Sequence, residues 1–250
     1  NLAMVFSHLR RYEDALDCYA NALKVQPNDS RAVLNYGELL LGLNRAEQAA
    51  LVYERYLQHQ QNTAVLLSYG MALHLLRRFE DALLCYQEVL TITPTHAEAL
   101  FGLANALYRL NRLDEALKAY ADSLQQNPDS AEAWFNRAVI LEVLQRDDDA
   151  LENYQAALCV KSDYPEAYNG IATLLAKQKR HAEAISHYQQ AITLRSNYAE
   201  AYGNLINLQK DLGDTKAAHS TLNNALTVLP DNVDLRFIKL NLTLPLMPDD

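Results

Sequence analysis

Seven alanines at a fixed spacing constrain this chain more than anything else in it. Ala15, Ala49, Ala82, Ala116, Ala150, Ala184 and Ala218 lie 34, 33, 34, 34, 34 and 34 residues apart. Four residues after them stand Tyr19, Tyr53, Tyr86, Tyr120, Tyr154 and Tyr188, with Leu222 after the last. A proline follows twelve residues after four of them, at Pro27, Pro94, Pro128 and Pro230. A landmark repeated at this period is the mark of stacked helical hairpins, in which each unit touches its neighbours.

Each unit reads as two helices. In the first helix apolar residues recur at i, i+4 and i+7 on one face: Leu100, Ala104, Leu107, then Trp134, Ala138, Leu141, then Tyr168, Ala172, Leu175. The central position is small in six copies (Ala3, Gly37, Gly70, Ala104, Ala138, Ala172), so a second helix can approach closely; the last copy has Ile206 there, as expected near an array end. The landmark alanine does the same from the other side, and the tyrosine one turn on can fill the space between hairpins. Proline then ends the second helix, because it cannot continue the hydrogen-bond ladder. Asp29, Ser30, Asp129, Ser130 and Asn232 are cap-type residues before the next helix.

These residues resemble the tetratricopeptide repeat (TPR) family over nearly the whole chain. The resemblance implies an all-α, right-handed superhelical solenoid of TPR hairpins, in which first helices line a concave groove. Residues 1–232 form the expected array, a partial first repeat and six complete ones. Residues 233–250 are expected to be a capping helix and the start of a linker or following domain. The chain opens on Asn1-Leu2-Ala3, already inside a first helix, as a piece of a longer protein would. One residue is missing between Gln61 and Leu66, and Tyr56 stands where other copies have alanine, so a local change of superhelical pitch is expected there. Residues 233–242, with the following LTLPLMP, read as apolar almost all round, which calls for something packed upon them.

Composition narrows the partners. With 31 acidic and 22 basic residues the net charge is −9, which gives no pull toward nucleic acid or an anionic membrane. No apolar run reaches the roughly 18 residues of a transmembrane helix, so membrane insertion is not expected. Cys18, Cys85 and Cys159 are odd in number and far apart, and read as helical filler.

No catalytic, cofactor or metal motif completes itself. Gly37 and Gly42 have a phosphate-loop spacing, but Leu43 and Asn44 stand where Lys and Ser/Thr are required. His181 and His187 flank Glu183 but are six apart, on different helix faces, where a zinc helix needs four. The acidic pairs, such as Glu80-Asp81, sit in first helical turns, where they favour the helix dipole. No enzyme activity and no cofactor are expected of these residues.

The TPR resemblance implies that the groove is lined from positions 15, 11 and 8 before each alanine. These are Leu34, Glu38 and Leu41; Leu67, Met71 and His74; Phe101, Asn105 and Tyr108; Phe135, Val139 and Glu142; then, more polar, Asn169, Thr173 and Ala176, and Gly203, Asn207 and Lys210. An apolar strip that folding does not need marks a contact site; alternatively Leu67 and Phe101 pack against the neighbouring hairpin. Asparagine recurs fourteen before the alanine at Asn1, Asn35, Asn136 and Asn204, and such amides can grip a peptide backbone. This resembles the asparagine ladder in the TPR arm of O-GlcNAc transferases, with Ser68, Gly102 and Gly170 on the other rungs. The Lys/Arg/Asn set with which some TPR co-chaperones clamp a C-terminal carboxylate is represented by Arg31 with Asn35 alone.

The expected function is therefore a scaffold for a protein or peptide ligand, an extended peptide or a partner helix. Leu34, Leu67, Met71, Phe101, Tyr108, Phe135 and Val139 would supply pockets, and Asn35, Asn105, Asn136, Asn204 and Asn207 polar contacts. Two alternatives stand beside it. One is a substrate-recognition arm of a larger enzyme, such as a glycosyltransferase; the other is a structural module that self-associates through its array ends.

Overall fold

The computed structural model describes residues 2–243, with side chains through residue 240. Asn1 and the apolar stretch beyond Thr243 lie outside the described residues. The described residues form fifteen helices and no strand. Two compact units divide the chain, one ending at Pro128 and one beginning at Asp129. The first holds α1 (Leu2–His8), α2 (Tyr12–Val25), α3 (Ser30–Gly42), α4 (Ala46–Leu57), α5 (Thr63–Leu75), α6 (Phe79–Ile92), α7 (Ala97–Arg109) and α8 (Leu113–Gln126). The second holds α9 (Ala131–Val143), α10 (Asp147–Val160), α11 (Pro165–Lys177), α12 (His181–Leu194), α13 (Ala199–Asp211), α14 (Thr215–Val228) and α15 (Val233–Thr243). Odd-numbered helices are the first helices of hairpins and even-numbered ones the second. Within a unit each helix packs on the one before it, and successive first helices also touch, as α3 touches α5 and α5 touches α7.

Every landmark alanine is fully buried, and the six tyrosines and Leu222 are at most 4% exposed. The tyrosine is a wedge. Tyr86 on α6 lies between Gly70 of its own hairpin and Gly102 of the next. A β-carbon on Gly70 would come within 2.8 Å of the ring, and one on Gly102 within 2.6 Å. Tyr154 approaches Gly170 of the following hairpin in the same way, with 2.6 Å to a β-carbon there. Glycine on these rungs is thus a packing requirement, where backbone and ring meet with no room for a side chain.

The turn inside each hairpin is equally regular. Three residues join first helix to second, and the middle one is left-handed: Arg10, Asn44, Arg77, Asn111, Gln145 and Lys179 at φ 57–61°, Gly213 at 75°. The next residue returns its N–H to the helix just ended, as Arg45 does to the Leu40 carbonyl at 2.8 Å and Arg180 to Leu175 at 2.9 Å. This closes the first helix with a Schellman motif. That next residue is arginine in six turns, and five of these (Arg11, Arg78, Arg112, Arg146, Arg180) reach the acid three positions on at 2.6–2.7 Å. Such exposed pairs contribute little stability each; they orient the first turn of the second helix.

First helices α3, α5, α7, α9, α11 and α13 are all 13 residues long. Second helices have 14 residues, except α4 with 12. The connection after α4 (residues 58–62) is one residue longer than the four-residue connections elsewhere, so the missing residue is taken from the end of α4. Tyr56 fills the space there and is buried with Val33, Ala50 and Tyr53. Asn62 then restarts the chain, accepting the N–H groups of Ala64 and Val65 at 3.0 and 3.1 Å. Asp29, Ser130 and Asn232 cap their helices as their residue types imply, and His96 does so through Nδ1. Asp129 makes no cap and Ser30 is the first helical residue of α3. Ser162 and Ser196 replace proline without consequence: Lys161 and Arg195 end their helices at φ −134° and −136°, close to the −136° of Asn127 before Pro128.

The last helix, α15, closes the second unit. Leu235 is buried with Tyr202, Ile206, Ala218, Leu222 and Ala225, while Ile206 and Leu222 fill the places held elsewhere by a small residue and tyrosine. Val233, Phe237 and Leu240 are exposed, interleaved with exposed Asp234, Arg236 and Lys239. The helix is therefore two-sided, with apolar residues on both sides.

Candidate functional site

Two recesses open on first-helix faces, one in each unit. The recess of the first unit, about 470 Å³, lies between α5 and α7 over the ring of Tyr86. Leu67, Met71, His74 and Leu75 form one wall; Glu98, Phe101, Gly102 and Asn105 form the other. Glycine at 102 opens this space, since any side chain there would fill it or move Tyr86. Met71 and Leu75 are 51% and 62% exposed, whereas Leu67 is 9% exposed and belongs as much to the core. Phe101 is half-buried and stands edge-on to Tyr120, ring centres 5.8 Å apart.

Polar groups in this recess are few. The Asn105 carbonyl accepts the Tyr120 hydroxyl, which orients the amide at the edge of the cavity. His74 packs edge-on to Phe79 at 5.1 Å, and the Arg109 guanidinium lies over the same ring, 4.8 Å from its centre. Burial lowers the His74 pKa, and the Arg109 charge lowers it further. Both effects favour the uncharged imidazole, and the recess offers an apolar surface with an amide at its rim.

The recess of the second unit is larger, about 710 Å³, and different in kind. Phe135, Val139 and Glu142 of α9, Tyr154 of α10, Asn169, Gly170 and Thr173 of α11, and Glu200 and Asn204 of α13 line it. Phe135 sits within an aromatic set, 5.5 Å from Tyr154 and 5.0 Å from Tyr164. Hydrogen bonds hold the polar lining. Tyr154 donates to Glu142 Oε2 at 3.0 Å; Asn169 Nδ2 donates to Glu200 Oε1 and Asn204 Nδ2 to Asn169 Oδ1, both at 3.1 Å. Tyr188 and Thr173 share a hydroxyl–hydroxyl bond at 3.1 Å. Burial pushes the Tyr198 phenol up to about 12, with Glu200 and Glu166 adding to the effect.

The structure thus gathers Leu67, Met71, Phe101 and Asn105 in the first recess, and Phe135, Val139 and Asn204 in the second. The others lie apart from both. Leu34 packs against the core of α3 and α4, Asn35 lies near the Tyr19 hydroxyl, and Tyr108 and Asn136 are half-buried on their helices. Asn207 is exposed on α13. Residues not singled out in the sequence are Leu75 and Glu98 in the first recess, and Tyr198, Glu166, Lys177 and Glu200 in the second; Tyr86, a space-filler by its repeat position, also forms the floor of the first recess. Glu98 and Glu200 share one register, eighteen before the landmark alanine, which reading only the −15, −11 and −8 stripe passes over.

Among the described residues no group of His, Cys, Asp and Glu is placed to hold a metal ion. No helix of those residues is long and apolar enough to cross a membrane.

Comparison with known proteins agrees with the repeat architecture. Two family models described as tetratricopeptide repeat match, one at residues 1–64, 70–130 and 101–163, the other at 163–231. No curated protein matches the chain in sequence. Among solved structures, PilF of Pseudomonas aeruginosa is similar with a TM-score of 0.72 at 18% identity, over 84% of this chain and 96% of that one. MamA is similar with a TM-score of 0.61 at 20% identity, over 74% of this chain and 98% of the other. YrrB, a TPR protein with an unusual peptide-binding site, has a TM-score of 0.59 at 18% identity, over 74% and 96% of the two chains. These likenesses are of fold.

Proposed function

The chain belongs to the tetratricopeptide repeat family, and from that premise we propose that it is a protein-interaction scaffold whose first-helix faces bind an extended peptide or a partner helix. The observation that carries this reading is the first-unit recess. Met71 and Leu75 are held open to solvent beside Phe101, over a cavity that Gly102 keeps clear. Exposed apolar side chains around a formed cavity cost solubility and give the fold nothing, so a ligand side chain is their natural counterpart. The peptide-binding site of YrrB, on a similar fold, supports the same direction.

The reading assigns the protein no chemistry of its own. Affinity would come from burying a ligand's apolar side chain, worth about 1.5–3 kcal/mol for one Leu or Phe, with the Asn105 amide at the rim. Phe101→Ala and Phe135→Ala test it, read by short peptides selected against the whole chain and by thermal melting. The expected result is lost peptide binding with a small change in Tm. A loss of several kcal/mol of stability, the usual result for a core aromatic, with binding per folded molecule unchanged, would return both residues to the core and remove the proposal.

A further inference from the structure

We infer that the second-unit recess takes a cationic side chain, a lysine or arginine of the segment bound by the first-helix face. The inference rests on the peptide-binding reading above and adds to it the charge of the ligand.

The recess has the right walls for such a side chain. A lysine or arginine stem is apolar and covers aromatic surface while its head stays polar, and Phe135 and Val139 line one side of the cavity. Its charge is also unbalanced. The lining carries Glu142, Glu166 and Glu200 against Lys177. Lys177 is taken by Asp147 at 3.2 Å, and Glu166 is taken by Arg195, whose guanidinium also lies 5.0 Å over the Tyr198 ring. Among the described residues no cation pairs with Glu142 or Glu200. Their hydrogen bonds, from Tyr154 and Asn169 respectively, fix the direction of each carboxylate and leave acceptor positions over.

Position makes the point sharper. Glu142 is in the last turn of α9, which has no basic residue and is the negative end of the helix dipole. A carboxylate there is a cost to the helix, not a support. The two carboxylates also act on one place: both raise the pKa of the buried Tyr188 phenol, after the larger effect of burial itself. A metal ion is not the counterpart, since no group of three metal-ligating side chains is assembled among the described residues. An organic cation, with an apolar stem for Phe135 and N–H donors for two fixed carboxylates, is. The first-unit recess, with the single carboxylate Glu98 and a neutral imidazole, would by contrast take an uncharged apolar side chain.

The test is a display library of random short peptides, selected in parallel on the whole chain and on its Glu142→Gln/Glu200→Gln variant. The amides keep an acceptor for Tyr154 and Asn169, and melting checks the fold. The expected result is Lys/Arg enrichment on the native chain, with binding about tenfold or more weaker on the variant and weakened by salt. Replacing the selected lysine by norleucine in the peptide should reproduce the loss on the unaltered protein, which needs no protein variant. Peptides that depend on Phe101 but show no basic preference and ignore the variant would overturn the charge inference and leave the scaffold reading intact. Basic peptides indifferent to the variant would overturn the site. Peptides indifferent to every one of these changes would overturn both readings.

Discussion

The tyrosine wedge makes one substitution change sign with its position. Gly102 and Gly203 are both within 13-residue first helices, where alanine is favoured over glycine by about 0.5–1 kcal/mol through backbone entropy. At Gly203 a β-carbon meets nothing within 4 Å, so the full gain is expected. At Gly102 it meets Cε1 and Cζ of Tyr86 at 2.6 Å and Cε2 at 3.0 Å. Ordinary contact begins at about 3.4 Å, so the ring must retreat by nearly an ångström. Gly70 presses from the other side, 2.8 Å from a β-carbon of its own. Overpacking of this kind costs about 1–3 kcal/mol, which exceeds the helix gain. Gly203→Ala should therefore stabilise by up to about 1 kcal/mol, and Gly102→Ala should destabilise by roughly 1 kcal/mol, up to about 2. Because repeat arrays open locally, native-state hydrogen exchange of α6 and α7 amides is the assay, beside thermal melting. The same variant moves Tyr86 and should reshape the first recess. A Gly102→Ala protein as stable as Gly203→Ala, with unchanged exchange in α6 and α7, would refute the wedge.

Two further outcomes follow from the turns and the buried imidazoles. Arg77 and Lys179 are left-handed at φ 60° and 61°, a conformation glycine adopts without strain; Arg77→Gly and Lys179→Gly should each change stability by about +0.5 to +1 kcal/mol, additively because they are far apart, as read from denaturation midpoints. Burial holds the pKa of His74 and of His187 below the ordinary imidazole value. The unfolded chain therefore takes up protons first, and stability should fall as pH drops through about 6.5. A His74→Gln/His187→Gln variant with an undiminished pH slope between about 7.5 and 5.5 would contradict this.

The repeat was legible because it is written in the residues that bury completely. Ala15 and its six successors are fully buried, where a larger side chain has to displace packed neighbours, and the same residue therefore recurs. The wedge was legible as a space-filler, but its hydroxyl partners were not. They differ from hairpin to hairpin (Asn105 for Tyr120, Glu142 for Tyr154, Thr173 for Tyr188) because any acceptor that reaches will serve. Of the rungs that carry no asparagine, two have a packing reason: Gly102 and Gly170 stand where the neighbouring tyrosine ring leaves no room for a side chain. Arginine four before the landmark alanine, at Arg11, Arg45, Arg78, Arg112, Arg146 and Arg180, is a regularity that the alanine–tyrosine landmark passes over. Its side chain meets the acid three positions on in five of the six turns, while the Schellman closure uses only its backbone N–H, as it does that of Asp214 in the last turn. The second recess was only partly foreseen, since Glu200 and Tyr198 come from the following hairpin and its connection, outside the stripe that defines one helix face.

The constancy of the first helices has a consequence for how such a chain can change its length. Thirteen residues in each complete first helix and three in each turn hold the displayed side chains at one rotational phase, while α4 absorbs a deletion at its far end. Drift in length is thus confined to the tail of the second helix and the connection after it. A residue can be lost or added there without rotating the side chains that the first helix displays, so the exposed stripe keeps its phase while the spacing of the units varies.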